Sequence, residues 1–184
     1  DWGETFSAVD VGAPQDASLG IGTVPQTIVL TNDTTLVFFA HDRGVEGDWR
    51  LFMARSTDGG ATYELRQLSE TYALGPSVRV VDGAIIAVWN NSLDNTFRSV
   101  TSLDGGAAWS GEVVAQDNGC CLRETAVWGD TFYLIAAWAI SRTTDFGLSW
   151  SRISHGEHGH ESAFDVAMNG QGLHSLRMEA VPQG

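Results

Sequence analysis

Short apolar runs, each stopped by turn-forming residues, recur along the chain from residue 26 onward. Residues 26–31 and 35–40 flank Thr31-Asn32-Asp33. Residues 77–81 and 84–89 flank Asp82-Gly83, and 124–128 and 131–136 flank Gly129-Asp130. Residues 163–168 and 173–178 meet around Asn169-Gly170. Paired β-rich runs joined by such residues predict hairpins. A third strand is expected after each of the first three hairpins, at 50–55, 96–101 and 140–142, and a fourth at 63–68, 109–115 and 150–154.

Between each expected third and fourth strand lies the same short sequence. Ser56-Thr-Asp-Gly-Gly-Ala-Thr-Tyr63 returns as Ser102-Leu-Asp-Gly-Gly-Ala-Ala-Trp109 and as Thr143-Thr-Asp-Phe-Gly-Leu-Ser-Trp150. Half a copy opens the chain at Asp1-Trp2-Gly3-Glu4-Thr5-Phe6. The aspartates Asp1, Asp58, Asp104 and Asp145 are separated by 57, 46 and 41 residues. Repeats of this length suit four-stranded units that must stack to bury their faces.

The pattern [S/T]-x-D-x-G-x-x-[W/Y] resembles the Asp box, or BNR repeat, of sialidases and related β-propellers. The resemblance implies an all-β propeller of four-stranded antiparallel blades, about three of them full, with partial blades at both ends. Residues 1–17 then hold an outer strand, 18–70, 71–116 and 117–154 are full blades, and 155–184 are a first hairpin. The chain, 1–184, reads as a single propeller domain or a fragment of one. A small four-bladed ring and a piece of a six-bladed ring both fit, and self-association into a homo-oligomer would cover the open ends.

Within the box the residues have structural tasks. The hydroxyls of Ser56, Ser102 and Thr143 and the carboxylates of Asp58, Asp104 and Asp145 can bind local N–H groups. Gly60, Gly106 and Gly147 tolerate positive φ, and the final aromatic can pack between sheets.

In the family that the box resembles, function sits on the opposite face. Its loops would be 17–23, 41–49, 70–75, 89–95, 116–123 and 155–161. The stretch 23–43 resembles the family's arginine-led strand, turn, strand and loop arginine. The first arginine of its carboxylate-clamping triad is Thr23 here, a direct departure. The resemblance makes Arg43 the second arginine, Asp48 the acid/base aspartate and Glu124 the glutamate assisting a tyrosine nucleophile. Tyr72 is the one tyrosine in a suitable loop. Each has a plainer reading: Arg43 as a solvated arginine or a partner of Asp42 or Glu46, Asp48 as a turn residue, Glu124 as a surface pair with Arg123.

Aromatic rings at loop or strand ends suit stacking on sugars. Trp49, Tyr72, Trp89 and Trp138 are the candidates, with Arg123 as a polar contact; the alternative is packing between blades. His155, His158 and His160 with Glu161 form a loose His/Glu group, but their spacing matches no standard metal motif. No metal and no cofactor are expected.

Composition narrows the partners. The net charge is −13, and every basic residue is an arginine. Such a surface repels phosphate backbones, so nucleic acid is not an expected partner. No apolar run approaches the roughly 18 residues of a membrane span, and no signal peptide is read at the N-terminus. The expected location is extracellular or periplasmic. Two adjacent cysteines, Cys120-Cys121, exclude a long-range disulfide framework and leave free thiols or a vicinal disulfide. Glycan recognition is the leading function; a sialidase-type exo-glycosidase and a non-catalytic interaction scaffold are the alternatives.

Overall fold

The computed structural model describes residues 25–31, 33–42, 47–117, 122–136 and 139–155, with the strands 163–169 and 172–178. Thr23, Arg43, Cys120, Cys121, Trp138, His158, His160 and the half box at Asp1 lie outside these residues. So do the side chains of Arg123 and His155.

Among the described residues there are fourteen strands and no helix. Three four-stranded antiparallel meanders follow one another along the chain. The first holds β1 (Gln26–Val29), β2 (Thr35–His41), β3 (Arg50–Ser56) and β4 (Glu64–Gln67). β5 (Leu74–Val81), β6 (Ala84–Asn91), β7 (Thr96–Ser102) and β8 (Val113–Gln116) form the second. The third is β9 (Leu122–Trp128), β10 (Thr131–Ala136), β11 (Ala139–Thr143) and β12 (Ser151–His155). A two-stranded hairpin, β13 (Ala163–Asn169) and β14 (Gly172–Met178), closes the order.

Local chemistry sets several boundaries. β1 ends at Val29, short of the expected 31, because the Thr31 hydroxyl turns back to accept from Thr34 N–H (3.0 Å). Asp82 and Gly83 take φ of 47° and 82°, the left-handed pair that a tight two-residue hairpin requires. β5 starts at Leu74, inside the expected loop 70–75. Gly75 at φ 56° and Pro76, which has no N–H, fall where the register slips between Leu74 and Ser77. β6 runs to Asn91, shortening the expected loop 89–95. β8 begins at Val113, not 109, because Ser110 interrupts the ladder: its Oγ accepts from Thr101 N–H at 3.0 Å.

The second strands are buried on both faces, as in β10, where all six residues are buried. Outer strands are not: β4 is exposed at three of its four positions. This difference follows from stacking. Leu36, Phe38, Leu51 and Met53 of the first sheet pack with Val78, Ile85, Ala87, Trp89 and Val100 of the second. Val81, Ile86, Val88 and Phe97 on the other face of the second sheet pack with Phe132, Leu134 and Ala136 of the third. First strands lie side by side and are joined through side chains: Gln26 Oε1 accepts from Val78 N–H (2.8 Å), and Ser77 and Thr125 share a buried hydroxyl bond of 2.6 Å.

The three repeated segments fold into one turn, made three times. Gly60, Gly106 and Gly147 each donate their N–H to the leading hydroxyl of Ser56, Ser102 or Thr143, every time at 2.8 Å. That hydroxyl donates to Asp58, Asp104 or Asp145 Oδ1 at 2.8, 2.8 and 2.7 Å. The same oxygen accepts the N–H of Thr62, Ala108 or Ser149 at 2.8–2.9 Å. Asp58 takes a further bond from the Thr62 hydroxyl (2.6 Å), which with Thr62 N–H and Ser56 brings its pKa from 3.8 to about 2. In Asp145, burial opposes the shift, but the Ser149 hydroxyl and N–H and Thr143 outweigh it. Ala108 offers only its N–H to Asp104, which together with Ser102 still lowers that carboxyl.

Each later turn is fastened to the sheet before it. Arg55 Nε donates to Gly105 O (3.2 Å), and the Thr101 hydroxyl donates to Phe146 O (2.6 Å) from the equivalent position. The closing aromatics fill the same junctions. Trp109 meets Phe38 edge-on at 5.8 Å, and the Trp150 indole donates to Ser99 Oγ at 3.0 Å. Gly59 N–H reaches Asp33 O at 3.0 Å, so the first hairpin turn and the repeated turn occupy the same end of the sheet.

Candidate functional site

Antiparallel topology puts two kinds of connection at the end away from the repeated turns: second-to-third strand loops and sheet-to-sheet links. At the first sheet these are 42–49 and 68–73. Ala73 N–H donates to Trp49 O at 3.0 Å and brings the two segments together. Asp48, Trp49 and Tyr72 thereby share one rim, each half-buried. Arg50 binds Asp48 as an ion pair and donates to Trp49 O at 3.0 Å. Asp48 thus has a cationic partner two residues away.

His41 ends β2 at this rim and is 2% exposed. It meets Phe52 edge-on at 6.0 Å, and its Nδ1 lies 4.0 Å from Asp42 Oδ1. The sequence reading did not single out this buried His–Asp pair. A continuous apolar strand ending in a polar residue gives no signal that the last side chain stays inside.

A second polar group sits between the first and second sheets. The Glu112 carboxylate accepts from Glu70 N–H, from Thr71 N–H (2.9 Å), from the Thr71 hydroxyl (2.9 Å) and from Arg98 (3.3 Å). Arg98 also binds Asp94 at 2.7 Å. Burial works against the Asp94 charge, but the Thr96 hydroxyl and Arg98 hold its pKa below the ordinary value. Glu112 therefore fastens the sheet-to-sheet link to the outer strand of the next sheet. This group was also missed, because its members are spread over more than forty residues.

Trp89 corrects an expectation. Its side chain is fully buried among Leu51, Leu68, Ala73 and Val100 and has no surface for a ligand. The strand β6 does not end with its apolar run at residue 89; it continues through two asparagines to Asn91, which is also buried, so the ring falls inside the core. Glu124 is exposed on β9, opposite Ile135, beside the buried Thr125. Asp48, Trp49 and Tyr72 come together on the first sheet, whereas Glu124 stands on the third.

Two clefts open at the end carrying the repeated turns. One, of about 170 Å³, lies between the first and second sheets and is lined by Met53, Arg55, Glu64, Arg66, Gly106 and Ala107. The other, of about 280 Å³, lies between the second and third and includes Leu103, Trp109 and Leu148. Leu103 and Leu148 are among the most exposed large apolar side chains described. Among the described residues no group of three or more His, Cys, Asp or Glu side chains could hold a metal ion. No helix there is long and apolar enough to cross a membrane.

No family model matches the sequence, and no curated protein matches it. Among solved structures, the chain is similar to a GH62 hydrolase crystallised in complex with xylotriose. The TM-score is 0.46 and the identity 14%, covering 85% of this chain. The chain spans 65% of the length of that structure.

Proposed function

We propose that the protein is a sialidase-like Asp-box β-propeller domain that recognises glycans on the face opposite the repeated turns. The observation that carries this reading is the turn itself. Three segments with the Asp-box sequence make the same hydrogen bonds at the same end of three consecutive sheets. That leaves the other end to the sheet-to-sheet links and second-to-third strand loops, the connections that carry function in propellers.

Trp49 and Tyr72 supply the stacking rings of the proposed site, and Asp48 and Arg50 the polar contacts. Glu124, exposed near the start of β9, is a further candidate on the third sheet; Arg43 and the side chain of Arg123, the other candidates of the family resemblance, lie outside the described residues. A sialidase-like β-propeller would use such a rim for sugar hydroxyls and ring faces.

A glycan array tests the proposal. Wild-type protein should retain a sialylated or xylose-containing oligosaccharide, and Trp49→Ala or Tyr72→Ala should weaken retention about tenfold or more. Hydrolysis of a fluorogenic sialoside, lost in Arg43→Ala, would move the assignment to an exo-glycosidase. A blank array at millimolar glycan would leave an interaction scaffold.

A further inference from the structure

We propose a second binding site, for a carboxylate, in the cleft between the first and second sheets on the face of the repeated turns. Arg55 and Arg66 project from β3 and β4 into this cleft of about 170 Å³. Each is already held by the neighbouring sheet. Arg55 Nε donates to Gly105 O at 3.2 Å, and Arg66 Nη1 donates to Ala107 O at 3.0 Å. A guanidinium has five N–H donors, so each retains terminal donors after that bond.

These two cations carry no ion pair among the described residues. Glu64 is the cross-strand neighbour of Arg55 in register, yet no bridge within 4.0 Å joins them. In a chain of net charge −13 with ten arginines, two guanidiniums against the single carboxylate of Glu64 give this small cleft a local positive excess. Their positions are also fixed in advance. The turn carbonyls that hold them belong to a segment locked by the Ser102 and Asp104 hydrogen bonds. Pre-organised planar donors of this kind suit a carboxylate bound through both oxygens.

Charge selects the ligand class. Glu64 lines the cleft, and the surrounding surface is acidic. A dianion would meet both, whereas a monoanionic carboxylate offsets the two arginines at lower repulsion. The ligand is therefore an organic carboxylate, such as an acidic sugar or a peptide terminus, and not a sulfate or phosphate dianion.

The site is tested by NMR titration of the arginine side-chain N–H signals with sodium acetate, against sodium chloride at equal ionic strength. Acetate should move the Arg55 and Arg66 signals saturably. Arg66→Gln should weaken binding about tenfold or more, the value of a lost charge-assisted hydrogen bond. Arg66→Lys should restore it only in part, since the charge returns without the fork. Glu64→Gln should tighten binding. Arg66 is exposed, so these variants test the ligand without touching the core. Sodium sulfate should bind more weakly than acetate; equal or tighter sulfate binding overturns the carboxylate assignment. Signals that follow chloride and acetate alike, or an Arg66→Gln variant that binds as wild type, overturn the site.

Discussion

Gly147 offers the sharpest test of how the sheets are fastened together. Its φ is +84°, and a Cβ built there would lie 2.8 Å from Thr101 Oγ1 and 3.5 Å from Ile86 Cγ2. Gly83 has nearly the same φ, +82°, but a Cβ there meets nothing within 4 Å. Alanine at either position incurs the left-handed backbone penalty of about 1–2 kcal/mol. At 147 two further costs apply. The Thr101 hydroxyl must leave Phe146 O, its partner at 2.6 Å, at a cost of about 1 kcal/mol. The junction between the second and third sheets must also give way, at a cost of about 1–3 kcal/mol. Gly147→Ala is therefore expected to destabilise by about 3–6 kcal/mol, at least twice the effect of Gly83→Ala. The assay is urea unfolding followed by tryptophan fluorescence, with the two midpoints compared at unchanged slope. In a chain of this size each kcal/mol moves the melting temperature by roughly 2–4 °C, so calorimetry should separate the variants as well. Equal destabilisation would refute the inter-sheet contact and leave only backbone strain.

Three further outcomes follow from the same geometry. Asp58 has its folded pKa lowered from 3.8 to about 2, so its carboxylate contributes stability above pH 3.8 that is lost as pH falls toward 2. The stability gap between wild type and Asp58→Asn should close over that interval; a constant gap in acid unfolding curves would contradict the assignment. Ala108→Thr should give Asp104 the hydroxyl donor that Thr62 gives Asp58, and so lower the Asp104 pKa further in an NMR carboxyl titration; an unchanged value would show that the turns are not equivalent. Trp89→Ala should cost about 3–5 kcal/mol by removing a core ring, and a mild effect in thermal unfolding would argue against its burial.

Much of the sheet pattern was legible because the repeat is short-range. Hydroxyl, carboxylate and glycine of each turn stand within five residues, and their hydrogen bonds close inside that span. Hairpin turns such as Asp82-Gly83 are equally local. Strand ends were less legible, because they depend on single side chains: Thr31 stops β1, and Ser110 breaks into the ladder before β8. The rim was the least legible. Trp49 and Tyr72 reach one rim because Ala73, next to Tyr72, donates its N–H to Trp49 O, and Glu112 gathers Arg98 and Thr71 from distant parts of the chain. Trp89 was misplaced because a tryptophan near an expected strand end reads the same whether β6 stops there or runs on into the core. The cleft arginines were invisible for a related reason. Arg55 and Arg66 gain their geometry from carbonyls some forty to fifty residues away.

The most direct test of the central claim is a backbone and indole NMR titration with the glycan that the array retains best. Glycan recognition opposite the repeated turns predicts shifts that cluster at Trp49, Tyr72 and their loop neighbours, with the amides of Gly60, Gly106 and Gly147 unmoved. Shifts confined to those glycine amides, or no shift at millimolar glycan, would contradict it.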